Sequence, residues 1–192
     1  MHPPRIPPMI RDLIQTAVLL FDNLEFTTIS GCPRCGGPVQ GYDTKTKKFA
    51  TLTENEKDRS ITVRVKRFTC RSCGALCYAD EPFYPDTRIG SPVIDIFSSL
   101  SATMPASRAG RVIDTLGIRV DRTTWKNYRD LRYSDIPEMD MFGMRLPVSI
   151  MVLSGIAARS SDLNHPDIQE ILAACAYPSA RHPARVPGQN QK

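Results

Sequence analysis

Apolar residues near the start of the chain recur at helical spacing. From Met9 to Leu24 they fall at every third or fourth position, with charged and polar residues between them. This period of 3.6 residues predicts an amphipathic helix over Met9–Leu24. We expect its apolar face to pack on the following segment, and a homodimer contact is the alternative use of that face. The proline-rich residues 1–8 show no such period and are expected to be disordered.

Residues 26–90 follow a period of two residues instead. Isoleucine and valine alternate with threonine, arginine and lysine in the stretch Ile61–Phe68, which predicts a half-buried strand. A second strand is predicted at Phe49–Leu52, and the charged stretch Glu54–Arg59 between the two reads as the tip of a hairpin. A linker rich in proline and tyrosine closes this segment.

Helical spacing returns over residues 91–133. Ser91 is predicted to cap a first helix, because proline follows it at the first helical position. Gly117 is predicted to end a second helix, and Asp121 to cap a third that turns Trp125 and Tyr128 inward. Three short helices with a glycine-containing turn predict a helix-turn-helix. A plain three-helix bundle with a basic, solvated face is the alternative.

The remaining residues are less regular. Leu146–Leu153 is a short apolar run, either a strand or a buried helix, and Pro166–Tyr177 is compatible with a short helix. Taken together, these patterns predict an α+β fold, a small β-rich unit with one helix before it and three after it. The predicted segments are 1–25 (disordered start and amphipathic helix), 26–90 (β-rich unit with linker), 91–133 (helix-turn-helix) and 134–192 (short extension with a basic, disordered tail).

Positive charge is concentrated in the middle of the chain. The formal net charge is +5, and residues 32–90 carry 11 Lys/Arg against 7 Asp/Glu, while residues 91–133 carry 7 against 4. Such a distribution is compatible with a polyanionic partner without requiring one.

No secretory or membrane-spanning segment is recognised, and six cysteines without an export signal are typical of a reducing compartment. We therefore expect a cytoplasmic protein without a membrane partner or a small-molecule substrate.

Two motifs of the form Cys-x-x-Cys-Gly carry the clearest chemistry. Two residues between the cysteines let the backbone form a tight knuckle that directs both sulfurs to one point, and the glycine permits a left-handed backbone after it. Four thiolates suit a tetrahedral Zn²⁺ ion. We predict one structural zinc ion, with an iron–sulfur cluster or a redox dithiol as alternatives. The 34 residues between the two cysteine pairs are enough for a β-hairpin, so the β-rich unit at residues 26–90 is predicted to be a zinc ribbon. The predicted ligands are Cys32, Cys35, Cys70 and Cys73.

The other cysteines and the histidines are interpreted as structural or surface residues. Cys77 follows Cys73 by four positions and could replace a ligand, but its apolar neighbours indicate a core position. Cys175 lies in an alanine-rich run and is expected to be buried.

Four thiolates leave no open position on the metal, so hydrolysis is not expected there. We predict no catalytic residues and no enzyme activity.

Residues 67–74 (RFTCRSCG), the following Tyr/Pro-rich linker and the predicted helix-turn-helix together form a recognisable arrangement. It resembles the N-terminal DNA-binding region of prokaryotic insertion-sequence transposases. In that family a zinc ribbon and a helix-turn-helix bind transposon ends, and a DDE catalytic domain with an RNase H-like fold follows. The resemblance covers roughly residues 26–132.

The chain departs from that family after residue 133. Only 59 residues follow, fewer than an RNase H-like domain needs. The acidic residues in this part are crowded and lie outside a convincing strand context for two-metal catalysis, so we interpret them as surface acids. They are Asp135, Asp140, Asp162, Asp167 and Glu170.

The resemblance implies zinc-dependent, sequence-selective DNA binding, either to transposon ends or in transcriptional regulation. The third helix is expected to read bases, and basic residues of the ribbon to meet phosphates. A protein-interaction adaptor without nucleic-acid binding is the main alternative, and RNA binding is another. The candidate DNA-contacting residues are Arg122, Thr123, Thr124, Lys126, Asn127 and Arg129 on the helix, with Lys48, Arg64 and Lys66 on the ribbon.

Overall fold

The computed structural model describes residues 6–54, 56–128, 136–160 and 166–175. Helices and mainly antiparallel strands alternate in blocks along these ranges, which confirms the predicted α+β class. In chain order the elements are α1 (Pro8–Leu19), β1 (Glu25–Phe26), β2 (Val39–Glu54), β3 (Lys57–Cys70), β4 (Leu76–Tyr78), α2 (Ser91–Thr103), α3 (Ala106–Thr115), α4 (Arg122–Tyr128), β5 (Glu138–Met141), β6 (Met144–Pro147), α5 (Val148–Ser160) and α6 (Ile168–Ala174).

A long antiparallel hairpin of β2 and β3 is the central element. Its register pairs Val39 with Cys70 at one end and Glu54 with Lys57 at the other. At about 3.3 Å per residue, β3 extends over about 45 Å. The short strands β1 and β4 pair with successive stretches of β3, β1 in parallel and β4 antiparallel. The hairpin therefore connects the cysteine motifs at one end with a charged turn at the other.

Both hairpin strands are longer than predicted. The prediction began the first strand at Phe49, whereas β2 begins at Val39. Most residues of this additional half are polar and exposed, so no apolar alternation marks it in the sequence. Cross-strand pairing with β3 holds it in place instead.

The first helix is shorter than predicted, since α1 ends at Leu19 rather than at Leu24. The chain turns at Asn23, which has a φ of 63°. The Asn23 amide donates a hydrogen bond to the carbonyl of Thr62 at 2.7 Å. The last part of the predicted helix thus leaves the helical path to join the sheet.

Buried apolar residues from α1, the hairpin, α2, α3, α5 and α6 form one continuous cluster. Phe21 stacks on Phe49 with ring centroids 4.0 Å apart, and Phe97 stacks on Trp125 at 4.2 Å. Helix α1 packs against α5. One hydrophobic core therefore includes residues from all four predicted segments, on both sides of the boundaries predicted near residues 25, 90 and 133. The division of the chain into four segments stays a prediction.

Helices α3 and α4 are joined by a turn that also pairs with the hairpin. Gly117 ends α3 with a φ of 83°, as predicted. The Thr53 amide donates to the Gly117 carbonyl at 2.7 Å, and the Arg119 amide donates to the Thr51 carbonyl at 2.8 Å. The turn is thus fixed to the end of β2 as if it were a short additional strand.

The predicted helix caps are right in one case and wrong in the other. Asp121 caps α4 as predicted, since its Oδ1 accepts a hydrogen bond from the Thr123 amide at 2.7 Å. Ser91, in contrast, is the first residue of α2, and Gly90 occupies the cap position. Gly90 is required there because a Cβ atom would overlap the Phe49 ring.

The segment after α4 contains a second, two-stranded sheet. Strands β5 and β6 pair from Glu138–Pro147 to Met141–Met144, and β6 packs on α2. The apolar run Leu146–Leu153 is therefore the end of β6 and the first half of α5. The disordered tail predicted after residue 177 and residues 1–5 of the predicted disordered start lie outside the described residues, and Pro8 of that start is the first residue of α1. Among the helices of the described ranges, none combines the length and the apolar character that crossing a bilayer requires.

Asp95 is a buried carboxyl group within α2. It is 4% exposed, and the Tyr84 hydroxyl donates a hydrogen bond to its Oδ1 at 2.5 Å. Burial raises the pKa of Asp95 to about 7, although the Tyr84 hydrogen bond acts in the opposite direction. This hydrogen bond ties the loop before α2 to the core.

We expect Gly90→Ala to destabilise the protein by about 1–3 kcal/mol, because the added methyl group would overlap the fully buried Phe49 ring. The matched control is Gly155→Ala in α5, where the nearest atom is Arg159 Nη1 at 3.7 Å. That change should stabilise by about 0.5–1 kcal/mol. Urea midpoints measure both, and equal midpoints for the two variants would contradict the packing described.

We expect the contribution of Asp95 to stability to fall as the pH rises from about 4 to about 7. The folded state keeps a proton there that the unfolded state has already lost, since an unfolded aspartate has a pKa of about 3.9. Asp95→Asn should remove this slope, so the variant gains stability relative to the natural protein as the pH rises. Urea unfolding of both at pH 5 to 8 tests this, and parallel curves would refute it.

Candidate metal centre

Each cysteine motif forms a tight turn that a glycine closes. Gly36 and Gly74 have φ values of 71° and 70°. Their amides donate hydrogen bonds to the carbonyls of Cys32 at 2.8 Å and of Cys70 at 3.0 Å. The left-handed backbone expected after each motif is therefore present, and it makes the two turns nearly identical in form.

The hairpin register brings the two turns together. Val39, just after the first motif, pairs with Cys70 at the start of the second. The Arg71 amide donates to the Pro38 carbonyl at 3.0 Å. A Cβ atom at Gly37 would lie 2.5 Å from the Ser72 hydroxyl, so the two turns pack against each other without room for a side chain.

The four predicted ligand sulfurs meet at one point. The Sγ atoms of Cys32 and Cys73 are 3.7 Å apart, and Cys35 Sγ lies 3.5 Å from each of Cys70 Sγ and Cys73 Sγ. All four lie within 4.8 Å of one another. A tetrahedral ion with bonds of about 2.3 Å to sulfur separates its ligands by about 3.8 Å. The four cysteines are thus positioned to hold a metal ion.

Within this group of thiols, the pKa values of Cys32 and Cys35 are shifted in opposite directions. The backbone N–H of Arg34 is the main cause that lowers the pKa of Cys32 to about 6, against the effect of burial. At Cys35 the N–H of Gly37 acts to lower the pKa, but the neighbouring thiols, Cys73 foremost, raise it to about 12. A bound cation removes this conflict because it favours all four groups as thiolates.

A fifth sulfur lies beside the four. Cys77 is on β4, opposite Phe68, and its Sγ is 3.7 Å from Cys32 Sγ. Cys77 is 3% exposed, and burial raises its pKa to about 11. The interpretation of Cys77 as a core residue agrees with its burial, but its closeness to Cys32 was not foreseen from the sequence. Cys175 is also buried, at the end of α6.

The three basic residues predicted on the ribbon share one face of the hairpin. Arg64 on β3 lies opposite Thr46 on β2. Lys66 is two positions after Arg64 on β3, and Lys48 is two positions after Thr46 on β2. Because side chains alternate along a strand, all three point to the same side. Arg64 is paired with Glu25 at 2.5 Å, whereas no carboxylate of the described residues lies within 4 Å of Lys48 or Lys66.

The residues predicted on the third helix border two clefts. The first, which we call the sheet-side groove, has a volume of about 780 Å³ and lies between β2, the loop before α2, and α4. The second, the α3-side cleft, has about 570 Å³ and lies between α3 and α4. Thr123, Thr124 and Asn127 line the groove together with Lys48, while Arg122 and Lys126 line the cleft.

The structure thus brings together part of the predicted DNA-contacting set. Arg64 and Lys66 lie farther along the hairpin and outside both clefts, and Arg129 lies outside the described residues. Sequence reasoning missed Arg88 and Arg119 in the sheet-side groove and Arg111 in the α3-side cleft. Only the excess of positive charge in the middle of the chain pointed to them. Arg88 and Arg119 lie in loops, which no periodicity places, and Arg111 is on the exposed side of α3, which its apolar period does not mark.

Comparison with known proteins gives no relative. No family model, no curated protein and no solved structure matches this chain. The functional conclusions therefore depend on the geometry and chemistry of its own residues.

We expect the protein to bind one Co²⁺ per chain and to show the absorption of tetrahedral cobalt bonded to thiolates. Cys35→Ser should lose most of this absorption, because it removes one of the four converging sulfurs. Cys77→Ala is the matched control and should keep both the absorption and the stoichiometry. Equal losses in the two variants would show that the ligand set is not the one described.

Proposed function

We propose that this protein binds DNA in a sequence-selective, zinc-dependent manner. In this proposal the two cysteine turns and the β2–β3 hairpin form a zinc ribbon, and α2, α3 and α4 form a helix-turn-helix. The observation that supports it most is the docking of the α3–α4 turn on β2, which gives Lys48 and the polar residues of α4 one shared groove. The hairpin and the helices then present a single surface to a ligand.

Zinc is the proposed metal because the donor set is four sulfurs at tetrahedral spacing. Four thiolates leave no coordination position for water or substrate, so the ion would act in folding and not in chemistry. Such an ion can supply on the order of 10 kcal/mol to folding. It would hold together the end of the hairpin at which β3 ends in the second cysteine turn.

Charge pairing separates the cations that are available for phosphates from those that are not. Lys47 is paired with Glu81 at 2.8 Å, and Arg67 is paired with Asp43. Lys66 has no carboxylate partner among the described residues, and the same holds for Arg122 and Lys126 on α4. Cations that have no carboxylate partner among the described residues release counterions from DNA on binding, so these residues are expected to contribute most.

The exposed side chains of α4 suit base contacts. Trp125 and Tyr128 are buried as predicted and fix the helix on its neighbours. Thr123, Lys126 and Asn127 point outward. An asparagine amide can pair with adenine through two hydrogen bonds, and a lysine can donate to guanine. We propose that these side chains read the sequence, at transposon ends as the resemblance implies or at a regulatory site.

The acidic residues after α4 have structural roles wherever they are described. Asp140 accepts a hydrogen bond from the Gly143 amide at 3.1 Å in the β5–β6 turn. Asp167 caps α6 through the Gln169 amide at 2.9 Å, and Glu170 pairs with Arg159 at 2.6 Å. Asp135 and Asp162 lie outside the described residues. These roles support the proposal that the protein acts by binding and not as a DDE recombinase.

A protein-interaction adaptor is the second candidate. It is favoured by the exposed aromatic rings of Tyr42 on β2 and Phe142 at the β5–β6 turn, each 65% exposed. One ring lies on the long hairpin and the other in the turn of a different sheet. In contrast, Lys48, Arg122 and Lys126 line two neighbouring clefts, and none of them has a carboxylate partner among the described residues. The charge distribution therefore favours DNA.

We expect selection from a random oligonucleotide pool to yield a defined sequence with the metal-loaded protein and none after chelation.

Asn127→Ala should lose about 1–3 kcal/mol of discrimination at one base pair, because it removes a base contact. Lys66→Ala should weaken binding to selected and random DNA alike, because it removes a phosphate contact. Gel shifts on both DNAs measure this, and equal losses for the two variants on both DNAs would contradict the division of roles.

A further inference from the structure

We propose that the sheet-side groove and the α3-side cleft hold the two phosphate backbones of one DNA duplex, with α4 in the major groove between them. This inference rests on the proposed function and extends it. It assigns phosphate contacts to Arg88, Arg119 and Arg111, which no sequence pattern identified.

The sheet-side groove gathers three cations from three separate parts of the chain. Lys48 comes from β2, Arg88 from the loop before α2, and Arg119 from the α3–α4 turn. No carboxylate of the described residues lies within 4 Å of Lys48 or Arg88. Arg119 lies 3.7 Å from Asp58, but both side chains are more than half exposed, so this pair costs little to open. Three cations are therefore available to the phosphates of one DNA strand.

Two carboxylates border this groove, those of Asp86 and Asp121, and against the three cations they leave it a net charge of +1. Asp121 is occupied as the cap of α4, where hydrogen bonds from the Thr123 side chain and amide lower its pKa. Asp86 is exposed in the loop. The position of Arg88 is also fixed relative to α4, because its amide donates a hydrogen bond to the Tyr128 hydroxyl at 2.8 Å.

The α3-side cleft carries positive charge on the other flank of α4. Arg111 on α3 faces Arg122 and Lys126 on α4 across it. None of the three has a carboxylate of the described residues within 4 Å. Asp114 is the acidic residue of this cleft, and one carboxylate against three cations leaves the cleft with a net charge of +2. Both flanks of the same helix are thus cationic.

The spacing of the two flanks fits duplex DNA. An α-helix with its side chains is about 10–12 Å across, and the major groove of B-form DNA is about 12 Å wide. A helix that fills the groove must therefore have a phosphate backbone along each side. The α3–α4 turn is hydrogen-bonded to β2 at Thr51 and Thr53, so the cations of the hairpin keep a fixed distance from α4. Double-stranded RNA does not fit, because its major groove is deep and too narrow for a helix.

The test is the salt dependence of binding by the full-length, zinc-loaded chain to a 30-base-pair random duplex, followed by fluorescence anisotropy. Arg88→Ala, Arg119→Ala and Arg111→Ala should each reduce the slope of log K against log salt by about 0.9. Arg88→Ala combined with Arg111→Ala should reduce it by about 1.8. The control is Arg159→Ala on α5, whose side chain pairs with Glu170 away from both clefts, and it should leave the slope unchanged. Urea midpoints confirm that each variant is folded.

The outcomes separate this inference from the proposed function. If the natural chain binds no duplex DNA, the proposed function fails and the inference fails with it. If it binds DNA but the groove and cleft variants match the control, the inference alone is overturned. Loss of slope from one flank only would overturn the two-backbone arrangement. Equal slopes on double-stranded RNA would overturn the placement of α4 in a major groove.

Discussion

The register of the β2–β3 hairpin is the constraint on which the rest of this structure depends. At one end it places the strand that follows the first cysteine motif beside the start of the second, so four sulfurs converge within 4.8 Å. At the other end the same strand β2 accepts the α3–α4 turn through two backbone hydrogen bonds. One set of cross-strand bonds therefore connects the metal centre with the helices that border the two clefts.

Each cysteine turn could be predicted from the sequence because it depends on local geometry. A spacing of two residues and a following glycine determine each turn, and the φ values of Gly36 and Gly74 agree with that expectation. The inward positions of Trp125 and Tyr128 and the cap at Asp121 were predictable for the same reason. Each of these features is decided by neighbours within a few residues.

Features that depend on distant partners were not predictable in this way. The polar half of β2 is a strand because β3 lies beside it, and its own residues show no apolar alternation. The cap at Gly90 is decided by the Phe49 ring, about forty positions away in the chain. Arg88 and Arg119 meet Lys48 only through the docking of a loop and a turn on the hairpin. Charge excess indicated the region but not the residues.

The alternation of side chains along β2 also limits how this architecture can change in evolution. Lengthening both hairpin strands by two residues each would move the metal centre about 6.6 Å farther from α4 and leave every basic residue on its present side. Adding a single residue to β2 between the cysteines and Lys48 would shift the pairing by one position there and reverse the faces of the residues beyond it, unless a bulge absorbed the change. The hairpin already contains two irregularities, between Gly41 and Thr44 and between Lys48 and Ala50. Homologous chains should therefore differ in hairpin length by even steps, or carry a further bulge where the step is odd.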